Sequence, residues 1–293
     1  FHWSKLNTSW FNFYINSSIH VALAVFSLSW ITLLEYQLPY DENVLYFIFY
    51  ASITGYNFVK FFGLVKFHHR QLATWLKLIQ LFSLLCFILM GYYFFLLDKN
   101  AMIFVSICGI ITFLYAVPLL PNRIFLDKHN NLRSIAGLKV FIIALVWTGV
   151  TVYLPLLNNH FSLNADVIIT CIQRFLFIIL LMLPFEIRDL RYDSLKLSTI
   201  PQIYGMNNTK IVGVLIGVLF FSLEFFKNEI GVNNVIALLI IAILTILMLL
   251  FAKKEQGLYY CSFWVEGLPI LWLVIILFLL NTTFFQSFFK IFF

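Results

Sequence analysis

Acidic side chains are few and unevenly spread: the 293-residue chain has 13 Asp and Glu in all, and none between Glu42 and Asp98. Charged residues of either sign make up only 11%, where a soluble globular chain carries about one quarter. That shortage excludes water as the main solvent. The four cysteines, Cys86, Cys108, Cys171 and Cys261, show no CxxC spacing, which argues against a zinc knuckle or a dithiol redox pair. The first three lie in apolar runs and are expected to pack as small hydrophobes. There is no phosphate-binding glycine loop, no HExxH pair and no GxSxG turn, so nucleotide hydrolysis, zinc proteolysis and serine hydrolysis lack support. Low-complexity segments and internal repeats are also missing, which weighs against a transporter built from inverted halves.

What is present is apolar: 62% of residues are hydrophobic, and 35 are Phe. A bilayer core about 30 Å thick takes roughly 20 apolar residues per helix, because only internal hydrogen bonding satisfies the backbone there. Spans of that kind are expected near Ser18 to Leu34, Val44 to Val59, Lys77 to Leu97, Ala101 to Leu120 and Val140 to Leu157. Four more are expected near Val167 to Phe185, Ile211 to Phe226, Val235 to Ala252 and Gly267 to Phe285. The fold class is therefore an all-α polytopic membrane protein of nine transmembrane helices, forming one domain over residues 1–293. Residues 1–16, rich in Trp, Phe and Tyr, read as an interfacial segment. The first span has no small-residue cleavage site and is followed by others, so it is expected to be retained.

The net charge of +6 does not form a basic stripe, and no nucleic-acid partner is expected. The basic residues sit instead between spans. Connections after the even-numbered spans carry Lys66 and Arg70, then Arg123, Lys128 and Arg133, then Arg188, Arg191 and Lys196, then Lys253 and Lys254. Those after the odd-numbered spans are poor in Lys and Arg. The asymmetry predicts a cytoplasmic N-terminus and an outside C-terminus, in what is expected to be a bacterial inner membrane.

Glu186, Asp189 and Asp193 are spaced i, i+3 and i+7, which puts three carboxylates on one face if the sixth span continues as a helix. Acids so close repel unless a cation intervenes, and Mg²⁺ suits carboxylate and phosphate oxygens. A solvated helix end paired with Arg188, Arg191 and Lys196 is the plainer alternative. Arg174 lies inside a span and should face the bundle interior, meeting Glu266, Glu224 or a lipid phosphate.

The stretch LPFEIRDLRYDSLKLSTIPQIYG, Leu183 to Gly205, resembles the second aspartate-rich motif of the UbiA-type intramembrane prenyltransferases. Arg188, Asp189, Asp193, Thr199, Pro201 and Gly205 carry the match. A second patch around Tyr115, Pro118, Arg123, Gly137, Lys139 and Trp147 is similar to the family's fourth loop and fifth helix. The resemblance implies a UbiA-like bundle whose cavity is capped by the loops after helices two and six. It further implies transfer of an isoprenyl group from a prenyl diphosphate to a lipophilic acceptor, assisted by Mg²⁺.

Carried onto this chain, Asp189 and Asp193 become the catalytic metal and diphosphate ligands, with Glu186 as a further metal ligand. Asn57, Lys60, Lys66, Arg70, Arg123, Arg188 and Lys196 become candidate substrate contacts. The first aspartate-rich motif of the family departs here: Asn57 is kept, but Phe61 and Val65 stand where aspartates are expected. Three readings stay open. Lys60, Lys66, His68, His69 and Arg70 clamp the diphosphate directly, leaving one metal on Asp189 and Asp193; or the scaffold binds a membrane lipid or lipid phosphate without turnover; or it is a subunit of a membrane-protein complex.

Overall fold

The computed structural model describes residues 10–67, 74–117, 138–190 and 199–292, with side chains for 10–60, 76–117, 138–190 and 199–281. Every regular element among them is helical. A short α1 (Trp10–Asn16) meets α2 (Ile19–Glu35) at a bend of 56°. Then come α3 (Glu42–Phe67), α4 (Thr74–Phe94) and α5 (Lys99–Ala116). Next are α6 (Leu138–Asn158), α7 (Ala165–Asp189), α8 (Ile200–Ser222), α9 (Val232–Phe251) and α10 (Leu268–Phe292).

A helix thus stands at each of the nine expected stretches. Seven of them are long and apolar enough to cross a bilayer by themselves, and α1 with α2 makes an eighth if the bent pair is one span. The remaining one, α3, carries Glu42, Lys60 and Lys66. The outer faces show what surrounds the bundle. Leu81, Leu85 and Ile88 on α4, Ile103, Ile107 and Ile110 on α5, and Ile211, Leu215 and Val218 on α8 are all exposed. Each trio follows i, i+4, i+7, one face of a helix turned to the surroundings. Continuous apolar stripes facing outward are stable in lipid and not in water. The protein is integral to the membrane.

Sequential helices pack as neighbours except α4 and α5, the latter resting on α3 and α6, and α10 closes back onto α2. The innermost helices are α2 and α7. Leu28, Ile31 and Leu33 of α2 join Leu45 and Ile48 of α3, Phe177 and Ile178 of α7, and Trp272 and Ile276 of α10 in one core. Its centre is aromatic: the Phe177 ring lies 5.4 Å from Phe220 and 5.2 Å from Trp272. Between α8 and α9 small residues permit close approach, as is usual where no hydrophobic force drives helices together. A Cβ on Gly213 would stand 2.0 Å from Leu249 Cδ2, and one on Gly217 2.7 Å from Ile246.

Polar side chains end the helices and tie one end of the bundle together. Asp98 caps α5 by accepting from the Asn100 amide, and Asn164 caps α7 by accepting from the Val167 amide. Asp41 Oδ2 accepts from both Asn158 and Asn159, and Asn158 Oδ1 accepts from the Asp98 amide. Asp166 accepts from the amides of Asn228 and Glu229. All four Lys- and Arg-poor connections therefore gather at one end, as their charge pattern predicts.

Three residues of the matched motif act in α8 as backbone devices. Thr199 is its N-cap, and its amide donates to the Gln202 side chain at 3.0 Å. Pro201 sits in the first turn, where a missing N–H costs nothing. Gly205 breaks the helix at φ 78°, a conformation open to glycine and strained for other residues.

Candidate functional site

The end of the bundle opposite those tied connections gathers most of the remaining described charge. On α3, Asn57 and Lys60 are three residues apart and share a face. Asn57 is buried, and its amide is saturated by the fold. Its Oδ1 accepts from Ser18 Oγ at 2.8 Å, and its Nδ2 donates to the Ser17 carbonyl at 3.0 Å and to Ser83 Oγ at 2.7 Å. Asn57 thereby fastens the α1–α2 corner, where Ser18 holds φ 65°, to α3 and α4. Lys60 is exposed at the mouth and donates to Ser18 Oγ at 2.9 Å.

His20 secures the same corner to the Tyr260–Val265 turn that leads into α10. Its Nε2 faces the Phe263 carbonyl at 2.9 Å. A carbonyl only accepts, so Nε2 carries the proton, and Nδ1 accepts from the Tyr14 hydroxyl at 2.7 Å.

The acids of the sixth-span motif lie at the C-terminal end of α7. Glu186 is 1% exposed, and its Oε1 is 3.0 Å from Lys139 Nζ. The same ammonium is 3.5 Å from Asp189 Oδ2, so Glu186 and Asp189 do share one helical face. The other Asp189 oxygen accepts from Arg188, through Nε and Nη2, each at 2.8 Å. Arg188 also lies 5.2 Å from the centre of the Phe185 ring. A third acid, Glu266, arrives half-buried from the start of α10, within electrostatic reach of Lys60 and Arg188.

Three cationic side chains, Lys60, Lys139 and Arg188, therefore face three acidic ones, Glu186, Asp189 and Glu266. These described residues do not fit Mg²⁺. An Mg²⁺ site needs oxygen ligands free to close to about 2.0–2.1 Å. Here Asp189 has both oxygens engaged by cations, and an ammonium lies between Asp189 and Glu186. Among the described residues no three His, Cys, Asp or Glu side chains group closely enough to hold a metal ion. The other expected contacts, Asp193, Arg70, Arg123 and Lys196, lie outside the described residues, as do the side chains of Phe61, Val65 and Lys66.

Two solved structures share the fold of this bundle. An apo UbiA homolog from Aeropyrum pernix K1 aligns with a TM-score of 0.61 at 12% identity, over 91% of this chain and 98% of that one. The fold is that of the UbiA-type membrane proteins. A structure concerned with digeranylgeranylglyceryl phosphate synthase in membranes aligns with a TM-score of 0.53 at 17% identity, over 94% and 97% of the two chains. No family profile matches the sequence. No curated protein matches it either. The UbiA fold is thus met here at 12–17% sequence identity.

Two members of the charged mouth of this UbiA-type bundle escaped the site reading. Lys139 is the second residue of α6, where the helix dipole disfavours a cation. A lysine at that position signals a nearby acid. Glu266 looks in sequence like an acid at a helix start, and only the closure of α10 onto α2 brings it to Lys60.

The protein partners of Arg174 are neither Glu266 nor Glu224. Its guanidinium is 1% exposed, donates to the Leu28 carbonyl at 3.1 Å and to Thr32 Oγ1 at 3.3 Å, and lies 5.0 Å from the Trp272 ring centre. Glu266 is at the mouth, while Glu224 is held by Lys227 at 2.7 Å and by Gln173 at 3.1 Å. Lys227 also pairs with Glu35, which accepts from Thr170 Oγ1 at 3.2 Å. These groups line a small cavity near the tied end. Its charges are matched within the protein, which marks it as a brace between α2, α7 and α8.

Proposed function

We propose that this protein is a UbiA-type relative that holds an isoprenyl diphosphate, or a chemically similar lipid phosphate, at the Lys60–Lys139–Arg188 mouth. Its activity in this reading is transfer of the isoprenyl group to a lipophilic acceptor. The observation that supports it best is the convergence of those three cations, from three different helices, at one end of an otherwise apolar bundle. One of the two fold neighbours comes from work concerned with a digeranylgeranylglyceryl phosphate synthase, which lends support to an isoprenoid reading. On the charge pattern, the mouth faces the cytoplasm of a bacterial inner membrane.

The chemistry follows from charge. An allylic diphosphate leaves as its C–O bond ionises, and negative charge grows on the departing oxygens. Preorganised cations in a water-poor site stabilise that growth. Lys60 and Arg188 are placed to meet the diphosphate, with Lys66, Arg70, Arg123 and Lys196 as proposed further contacts and Asp193 as a proposed site acid. The apolar helices keep water from the allylic cation until the acceptor attacks. Asn57 acts by fixing Lys60 and the α1–α2 corner.

A second reading is favoured by one observation, the ion pairing of Glu186 and Asp189 with Lys139 and Arg188. A mouth whose acids are already neutralised suits retention of a lipid phosphate, or docking of a membrane-protein subunit, without turnover. Purified protein incubated with radiolabelled isoprenyl diphosphates of several lengths, with lipophilic acceptors and with or without Mg²⁺, separates the two. Release of pyrophosphate that Arg188→Met lowers by about tenfold or more, the scale of one charge-assisted contact, supports transfer. Donor binding with no release supports the second reading. Absence of donor binding overturns both forms of lipid-phosphate recognition.

A further inference from the structure

The resemblance of the acidic motif leads one to expect a divalent ion at Glu186 and Asp189, and the geometry there disagrees. We propose that Lys139 is a built-in cation: its ammonium takes the place of a divalent ion between these two carboxylates, and the pair binds no such ion. The role of the mouth in lipid-phosphate binding rests on the reading above. The metal claim rests on geometry alone.

Glu186 and Asp189 lie one turn apart on α7 and direct an oxygen each to a common point. Lys139 Nζ, reaching across from α6, is within 3.0 and 3.5 Å of those oxygens. An ion that ligated both carboxylates would have to displace an ammonium of like sign from the same place. Arg188 already holds the second Asp189 oxygen with two donors at 2.8 Å. The two cations and two acids are matched in charge, so a divalent ion would leave the cluster with an excess of two positive charges, close together and only partly in reach of water. At low dielectric such repulsion is severe.

Lys139 also explains a sequence feature that a metal site does not. A lysine in the first turn of α6 opposes the helix dipole. Pairing it with two acids from α7 removes that cost and supplies the charge Glu186 needs at 1% exposure. The loss of the first acidic motif at Phe61 and Val65 belongs to the same change, since a site without a metal cage has no use for acids on α3.

The test is Mn²⁺ titration of the full-length protein in detergent, followed by electron paramagnetic resonance and without any lipid donor. Wild type is expected to show no saturable Mn²⁺ binding. K139M, which removes the charge and keeps the length, is expected to gain one saturable site that K139M/E186Q loses. Wild-type Mn²⁺ binding that E186Q or D189N abolishes overturns the proposal, and so does a folded K139M that gains no site. Should K139M not fold, the melting temperature of wild type decides: no shift with Mn²⁺ is expected, and a stabilising shift that vanishes in E186Q overturns the proposal. Failure to bind an isoprenyl diphosphate would sink the functional reading and leave these donor-free titrations to judge the metal claim independently.

Discussion

Replacing Lys227 with methionine is expected to destabilise the protein by about 3–5 kcal/mol, the range for breaking a buried ion pair by removing one partner. Lys227 lies 2.7 Å from Glu224, pairs also with Glu35, and is 8% exposed. Its loss removes the one cation that pairs directly with both carboxylates, leaving them Thr170 and Gln173 as donors and Arg174 in the same cavity. Burial by itself pulls the Lys227 ammonium down, but Glu35 and Glu224 outweigh it and hold the group above its ordinary value. A raised folded value means that the charged lysine stabilises the fold fully below the unfolded value near 10.5 and loses its contribution as pH rises through the folded one. Melting in detergent should therefore separate wild type from Lys227→Met by an undiminished gap at pH 7 and 9. The gap should narrow only above pH about 10.5. Equal melting temperatures at pH 7 would show that this cluster braces nothing.

The second large effect concerns the mouth. Lys60→Met combined with Arg188→Met should weaken binding of a non-hydrolysable isoprenyl thiolodiphosphate by about 100-fold or more, since each charge-assisted contact contributes about 1.5–3 kcal/mol. Lys60→Met leaves Ser18 Oγ bonded to Asn57, so the α1–α2 corner keeps its fastening. A matched change at the tied end, Lys99→Met, removes a cation in the first turn of α5 and should leave affinity unchanged. Equal affinity in the double mutant and in wild type would remove the mouth from consideration as the phosphate site.

Much of the fold was legible because lipid imposes a simple rule on sequence. Every long apolar stretch gave a helix among the described residues, and the scarcity of Lys and Arg in four connections marked those that share one end. The acid spacing at Glu186 and Asp189 also predicted their common face. What the sequence withheld was long-range pairing. Asn57 fits a ligand contact and a structural fastener equally well until Ser17, Ser18 and Ser83 are seen around it. Lys139 and Glu186 are 47 positions apart, and Arg174 makes its direct contacts with a carbonyl, a hydroxyl and a ring. A span count from apolarity alone also falters at α3, whose Lys60 serves the mouth at the expense of hydropathy. Thr199, Pro201 and Gly205 were read as parts of a site motif, and their backbone roles in α8 emerge only from φ angles and caps.

The account stands or falls on where an isoprenyl diphosphate settles. Photo-crosslinking with an analogue whose reactive group adjoins the diphosphate, followed by peptide mass spectrometry, answers that directly. Labels are predicted on the segments bearing Lys60, Lys139, Arg188 and Glu266, and excess unlabelled isoprenyl diphosphate should remove them. Labels on the Glu35–Lys227 end, or none that competition removes, would contradict it.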